Sequence, residues 1–155
     1  MTGMHQKLIL TLIAGLLAAT PAASAATTTY KGRTRSGTKI SFRVSGGSIS
    51  KIRTLVPTVC VSTRSSGTKA GAENFWPSAG LRFRVGKAVK KTASKQSSAM
   101  APGHSVTKTY TVSSKKKGRK ISGKLRLSFS WFVPDLYGYW TTYVCTGVTS
   151  FTARS

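Results

Sequence analysis

From Thr27 onward, apolar residues recur at every second position in short runs broken by Gly, Ser and Lys, and no run of ten or more carries a helical spacing. A strand sends successive side chains to opposite faces, so this pattern restricts the chain to β-structure with one dry face and one wet face. It is clearest where Ile121, Leu125, Leu127, Phe129 and Trp131 share one side, with Gly123 between them, and Lys120, Ser122, Lys124, Arg126, Ser128 and Ser130 the other. Ile40, Phe42 and Val44 alternate in the same way with Lys39, Ser41, Arg43 and Ser45. Gly46 and Gly47 then supply the left-handed backbone of a two-residue hairpin turn into 48–62. Pro57 interrupts that third stretch and predicts an edge, a bulge or two short strands. Farther on, Leu81, Phe83 and Val85 alternate with Arg82 and Arg84, while Val106, Tyr110 and Val112 share a side on which Lys108 is the exception. A basic tip at 115–119 joins that strand to the next as a hairpin, and a last strand from about 139 to 153 carries Cys145. The pattern predicts an all-β domain of seven or eight antiparallel strands, either a β-sandwich or a small up-and-down barrel. The segments 63–80 and 93–104 read as irregular loops.

The first 25 residues do not belong to that domain. Lys7 gives a lightly positive start, an apolar run extends from Leu8 to Ala19, Pro21 follows, and Ala23, Ser24 and Ala25 complete the layout of a helical, cleavable signal peptide. The apolar run is shorter than the roughly 18 to 20 residues that cross a bilayer, and no later run approaches that length. The expected organisation is therefore a signal peptide at 1–25 and a basic β domain at 26–155, exported and either free or cell-wall associated. Cys60 and Cys145 are the only cysteines, lie in strand-like sequence and are directed to an oxidising compartment, so they are expected to pair.

Tyr30, Lys31, Gly32 and Thr34, then Gly37 to Val44 with Cys60 downstream, resemble the opening of small secreted basic β proteins of actinobacterial type. Cys145, Thr146 and Gly147, followed by 151–154, are similar to the closing motif of that group, and 121–125 to one of its strands. The resemblance covers most of the chain after residue 25 and implies the fold and the disulfide, but its strand-and-turn motifs imply no activity. The chain has Arg35 and Ser36 where such proteins often have Ser-Gln, and Phe151 where they often have Trp.

Catalytic constellations are short of material. Past the signal peptide there are two carboxylates, Glu73 and Asp135, and one histidine, His104. Zinc sites take three or four His, Cys or acidic ligands and calcium sites several acidic oxygens, so neither a metal nor a cofactor is expected. A hydrolase would need Glu73, Asp135 and His104 to converge, and a paired-carboxylate glycosidase would need the two acids within about 5 to 9.5 Å. A crosslink between a lysine and Asn74, the one asparagine, is a further possibility that Glu73 would assist. The preferred reading is that each acid pairs with a nearby Lys or Arg, and that the protein is not an enzyme.

The basic residues carry the functional reading. Removal of the signal peptide takes away Lys7 and lowers the formal charge from +23 to +22. Period two places Lys120, Lys124 and Arg126 on one face. Lys39, Arg43 and the cluster Lys115, Lys116, Lys117 and Arg119 extend that stripe, and Lys87, Lys90, Lys91 and Lys95 form another. Such a field attracts polyanions without sequence preference. The predicted partners are anionic cell-envelope polymers or lipids and acidic polysaccharides, with nonspecific nucleic acid binding in vitro as a consequence of charge. An aromatic segment at 131–140 offers Trp131, Tyr137, Tyr139 and Trp140 for a ring contact, which is the basis of an alternative reading as a carbohydrate or small-ligand binder. Phe75 and Trp76 are read as a second wall of such a site or as a plug for one end of the fold.

Overall fold

The computed structural model describes residues 25–77, 80–96, 105–134 and 139–155. The expected signal peptide, apart from Ala25, lies outside these residues, as do His104, Asp135 and Tyr137. Among the described residues nine strands form: β1 (Thr28–Thr34), β2 (Lys39–Ser45), β3 (Ser48–Ser62), β4 (Thr68–Phe75), β5 (Phe83–Arg84), β6 (Ala88–Gln96), β7 (Ser105–Lys117), β8 (Lys120–Pro134) and β9 (Trp140–Arg154). They belong to one sheet in the order β4-β3-β2-β1-β9-β8-β7-β6, with β5 beside the start of β3. Every pairing is antiparallel. The described residues are all-β, as the alternation requires, with nine strands among them where seven or eight were expected, in one sheet curled about its own apolar face.

The core is the inner row of each strand. Tyr30, Ile40, Phe42, Ile49, Val56, Phe75, Val112, Ile121, Leu125, Leu127 and Phe151 are all buried. Tyr30 stacks on Phe42 with centroids 5.4 Å apart, and Phe151 meets Phe42 edge-on at 5.6 Å. Gly46 and Gly47, at φ 53° and 73°, make the two-residue turn between β2 and β3 that the sequence predicts.

Two long strands organise the rest. β3 pairs with β2 near its start, and from Thr58 to Ser62 it pairs with Gly147 to Tyr143 of β9. Toward its end β9 turns to β1 instead, matching Phe151 to Arg154 with Thr34 to Lys31. The β1–β2 hairpin is thus wedged between β3 and β9, which close on each other beyond its tip. That tip is tied to both sides. The Arg35 amide donates to the Ser150 carbonyl at 2.8 Å, and the Thr38 hydroxyl donates to the Leu55 carbonyl at 3.1 Å.

This wedge explains Pro57, which neither ends β3 nor marks a bulge. Leu55 turns its carbonyl toward the hairpin tip, so by alternation Pro57 presents its backbone to the same edge, in the gap between the tip and the first β9 pairing at Thr58. No ladder bond is lost there. The bulge of β3 sits earlier, at Lys51, whose φ of 52° absorbs the register shift against Ser41 and Arg43. Two segments read as irregular contain the edge strands β4 and most of the C-terminal half of β6. Nearly all of β4 is exposed and only Phe75 enters the core, so no alternation announced it.

Gly123 occupies an inner position on β8 that the neighbouring strand β7 approaches closely. A Cβ there would overlap the Ser113 carbonyl oxygen and stand 2.9 Å from Ser114 Cα, with the Phe151 ring at 3.0 Å. The strands cannot separate without breaking the β7–β8–β9 ladder, so Gly123→Ala is expected to cost about 3 kcal/mol or more. A urea titration measures it, as a lower midpoint with little change of slope.

Candidate functional site

The outer face of the sheet carries the charge. Register places Arg53 of β3 opposite Ser41 of β2, Ser41 opposite Lys31 of β1, and Lys31 opposite Arg154 of β9. The line continues from Arg154 to Lys120 of β8 and from Lys120 to Lys117 of β7. Five cations therefore lie on one row across six strands, which at 4.7 to 4.9 Å per strand spans roughly 24 Å. Arg33 and Lys39 face each other one outer step away, and Lys115 stands opposite Ser122. A parallel row runs from Arg126 through Thr111 to Lys90. All the cations of these rows are exposed.

Four directly opposed like-charge pairs result: Arg33 with Lys39, Lys31 with Arg154, Arg154 with Lys120, and Lys120 with Lys117. Each costs stability, about 0.2 to 1 kcal/mol, unless an anion offsets it.

At one end the row widens into an open groove of about 940 Å³. Lys31, Arg33, Lys39 and Arg53 supply its charge, Thr38, Ser41, Thr54 and Asn74 its uncharged polar side chains, and Trp76 one wall, with no carboxylate in the lining. The Arg53 guanidinium lies 4.7 Å from the Trp76 ring centroid. A cation held this way keeps its outer N–H groups for a ligand.

Of the sequence-predicted cations, Lys39, Arg43, Lys90, Lys115, Lys117, Lys120, Lys124 and Arg126 share this outer face, by strand parity and register. Lys116 has the inner parity beyond the core's end, Lys91 likewise at the β6 edge, and Lys87 and Arg119 lie in turns; all four are exposed. Sequence reasoning missed Lys31, Arg33, Arg53 and Arg154, although Lys31 and Arg33 alternate with inward Tyr30, Gly32 and Thr34.

Among the aromatic candidates, Trp131 faces inward and packs on Tyr143 at 5.6 Å, while Tyr139 and Trp140 are exposed. Phe75 and Trp76 divide the two roles read for them, since Phe75 is fully buried and Trp76 is 58% exposed.

Glu73 is engaged structurally. Lys108, the polar exception on the inner side of β7, donates its ammonium to Glu73 Oε1 at 2.8 Å, and the Asn74 amide donates to the same oxygen at 3.0 Å. This bridge spans from β4 to β7, beside the edge-on contact of Phe75 and Tyr110 at 5.1 Å. Burial first, and then the nearby Glu73 carboxylate, hold the Tyr110 phenol above its ordinary value near 10. A phenol whose folded pKa is raised stabilises the fold fully below the unfolded pKa and loses that contribution as pH rises through the folded one. Stability is therefore expected to fall above about pH 10. Tyr110→Phe should flatten that fall in melting curves taken across alkaline pH.

Among the described residues no group of three or more His, Cys, Asp or Glu side chains is placed to hold a metal. Among the described residues no helix is long and apolar enough to cross a membrane, for the described elements are strands. No protein-family profile, curated protein or solved structure matches the chain.

Proposed function

We propose that the protein is a secreted, non-enzymatic binder of polyanionic material at or beyond the cell envelope: wall polymer, acidic polysaccharide or anionic lipid. The observation that carries this reading is the cation row from Arg53 to Lys117, which sets like charges directly opposite one another across neighbouring strands. A charge serving solubility alone would favour both signs interspersed, and the row pays a stability cost that an extended anion would reverse. The Cys60–Cys145 disulfide and the expected signal peptide suit an oxidising, extracellular setting.

Co-sedimentation of the oxidised protein with purified cell wall, with anionic vesicles and with a neutral polysaccharide, each across a salt series, tests this reading. Retention on anionic material at physiological salt is the expected result. Retention on the neutral glycan alone would replace the reading with carbohydrate binding at the aromatic side chains. Release from every anion at low salt would reduce the charge to a physical property.

A further inference from the structure

The second half of β3 is apolar on its outward face, while its inward face mixes Val56 and Cys60 with polar residues. Its inward residues include Thr54, Thr58 and Ser62, all buried, while its outward residues include Leu55, Val59 and Val61, which are 43%, 50% and 48% exposed. A strand with one wet face ordinarily alternates the other way. β9 continues the outward apolar field with Val144, directly opposite Val61, and with Val148, 41% and 52% exposed. On the other side, β4 sets Ala70 and Ala72 opposite Val59 and Pro57. No charged side chain interrupts the outer positions of these three strands from Leu55 to Val61 and their partners.

The borders of the field have a different chemistry. Arg53 lies two residues before Leu55 on the same face, with the exposed Trp76 ring against it, and Arg126 stands opposite Val148. At the far end, Phe132 and Trp140 take outer positions on β8 and β9, and Trp140 is 39% exposed. The outer sheet is thus divided into an uncharged aliphatic half and a cationic half, with indole rings beside the aliphatic half.

We infer that this outer field seats the protein on an anionic lipid surface. Aliphatic side chains enter the acyl boundary, indole rings settle at the headgroup level, and the adjoining Arg and Lys rows meet lipid phosphates. A second copy of the chain fits the field poorly: each carries a large positive charge, and face-to-face packing would bring two sets of cation rows together, with no carboxylate among the described residues of the face to offset them. The inference rests on the polyanion reading, because the same rows supply the headgroup contacts, and it adds one partner and one contact surface to it.

The test compares vesicles of phosphatidylglycerol and phosphatidylcholine, vesicles of phosphatidylcholine alone, and a soluble acidic polysaccharide, with the oxidised protein and its Val59→Ser/Val144→Ser variant. Both substitutions fall on half-exposed positions, and circular dichroism and melting confirm that the variant folds. On the anionic vesicles the wild type is expected to stay partly bound at about 1 M salt, where the Debye length is near 3 Å, with tryptophan emission shifted to the blue. On the soluble polymer it should be released. The variant should bind the polymer within twofold of wild type and lose about tenfold in vesicle partitioning. Equal partitioning of variant and wild type, or release from vesicles at the salt that frees the polymer, would overturn the inference and leave the polyanion reading standing. A stable dimer by light scattering that the variant abolishes would assign the field to a second copy and likewise overturn it. Binding to neither anion would remove the polyanion reading, and this inference with it.

Discussion

Removing the Cys60–Cys145 disulfide, by reduction or as Cys60→Ala/Cys145→Ala, is expected to lower stability by roughly 4 to 5 kcal/mol. In a domain of about 130 residues that corresponds to a fall in melting temperature on the order of 15 °C. The global figure follows from the separation of 85 residues, since a crosslink restricts the unfolded chain more as the closed loop lengthens. The local consequence follows from what surrounds the bridge. The two residues are direct cross-strand partners with Cα atoms 3.9 Å apart, at the end of the sheet where β3 and β9 meet beyond the hairpin. Inward neighbours there are Thr58 and Ser62 on β3, Gly147 and Tyr143 on β9, and Phe129 opposite Cys145 on β8; the first three offer little apolar area and the two rings are only partly buried. The covalent link therefore holds a pairing that packing holds at Ile121, Leu125 and Leu127. In the reduced protein, amide protection should be lost first over 58–62 and 143–147, with the β7–β8 ladder retaining it longest. Uniform loss of protection would show instead that the bridge acts only on the unfolded chain.

Legibility from sequence followed one-sided burial. β2 buries Ile40, Phe42 and Val44 and β8 buries Ile121, Leu125 and Leu127 against a common core, and the alternation assigns both strands' faces correctly. The disulfide could be read because two cysteines allow one pairing. β4 escaped because an edge strand with a single buried residue leaves no periodic trace. Pro57 misled because its effect depends on which edge its missing N–H faces, and that is set by a hairpin tip nearly 20 residues earlier. Lys108 stood out as an exception, and its partner Glu73 lies 35 residues away across an unpaired seam. The cation row is the extreme case. Lys120 and Lys124 are visible as one face of one strand, but the row exists only because β1 and β9 bring Lys31 to Arg154 from opposite ends of the domain. The outward apolar field was hidden for a related reason, since a strand apolar on both faces reads locally as a buried one.

Replacing Lys31, Arg33, Lys39 and Arg53 together by Gln is expected to reduce the salt dependence of polyanion binding by about three in the slope of log K against log salt. Over a fourfold rise in salt, that difference amounts to roughly 50- to 150-fold in affinity. The reasoning is counterion release: each cation seated on a linear polyanion frees close to one condensed ion, and these four line one groove at the head of the row. Net charge alone would predict an equal effect from any four cations, so the control replaces Arg64, Lys69, Arg82 and Arg84, none of which belongs to the row. A small change in the control beside a large one in the groove variant would locate the site; equal changes would mean that only the total charge is felt. Folding gives an opposite and therefore independent signature. The groove variant removes the Arg33 with Lys39 and Lys31 with Arg154 repulsions, so at low salt its melting temperature should rise by a few degrees. A protein that becomes more stable as it loses its ligand has sites arranged for binding at the expense of the fold. That pairing of signs separates a functional cation row from a decorative one.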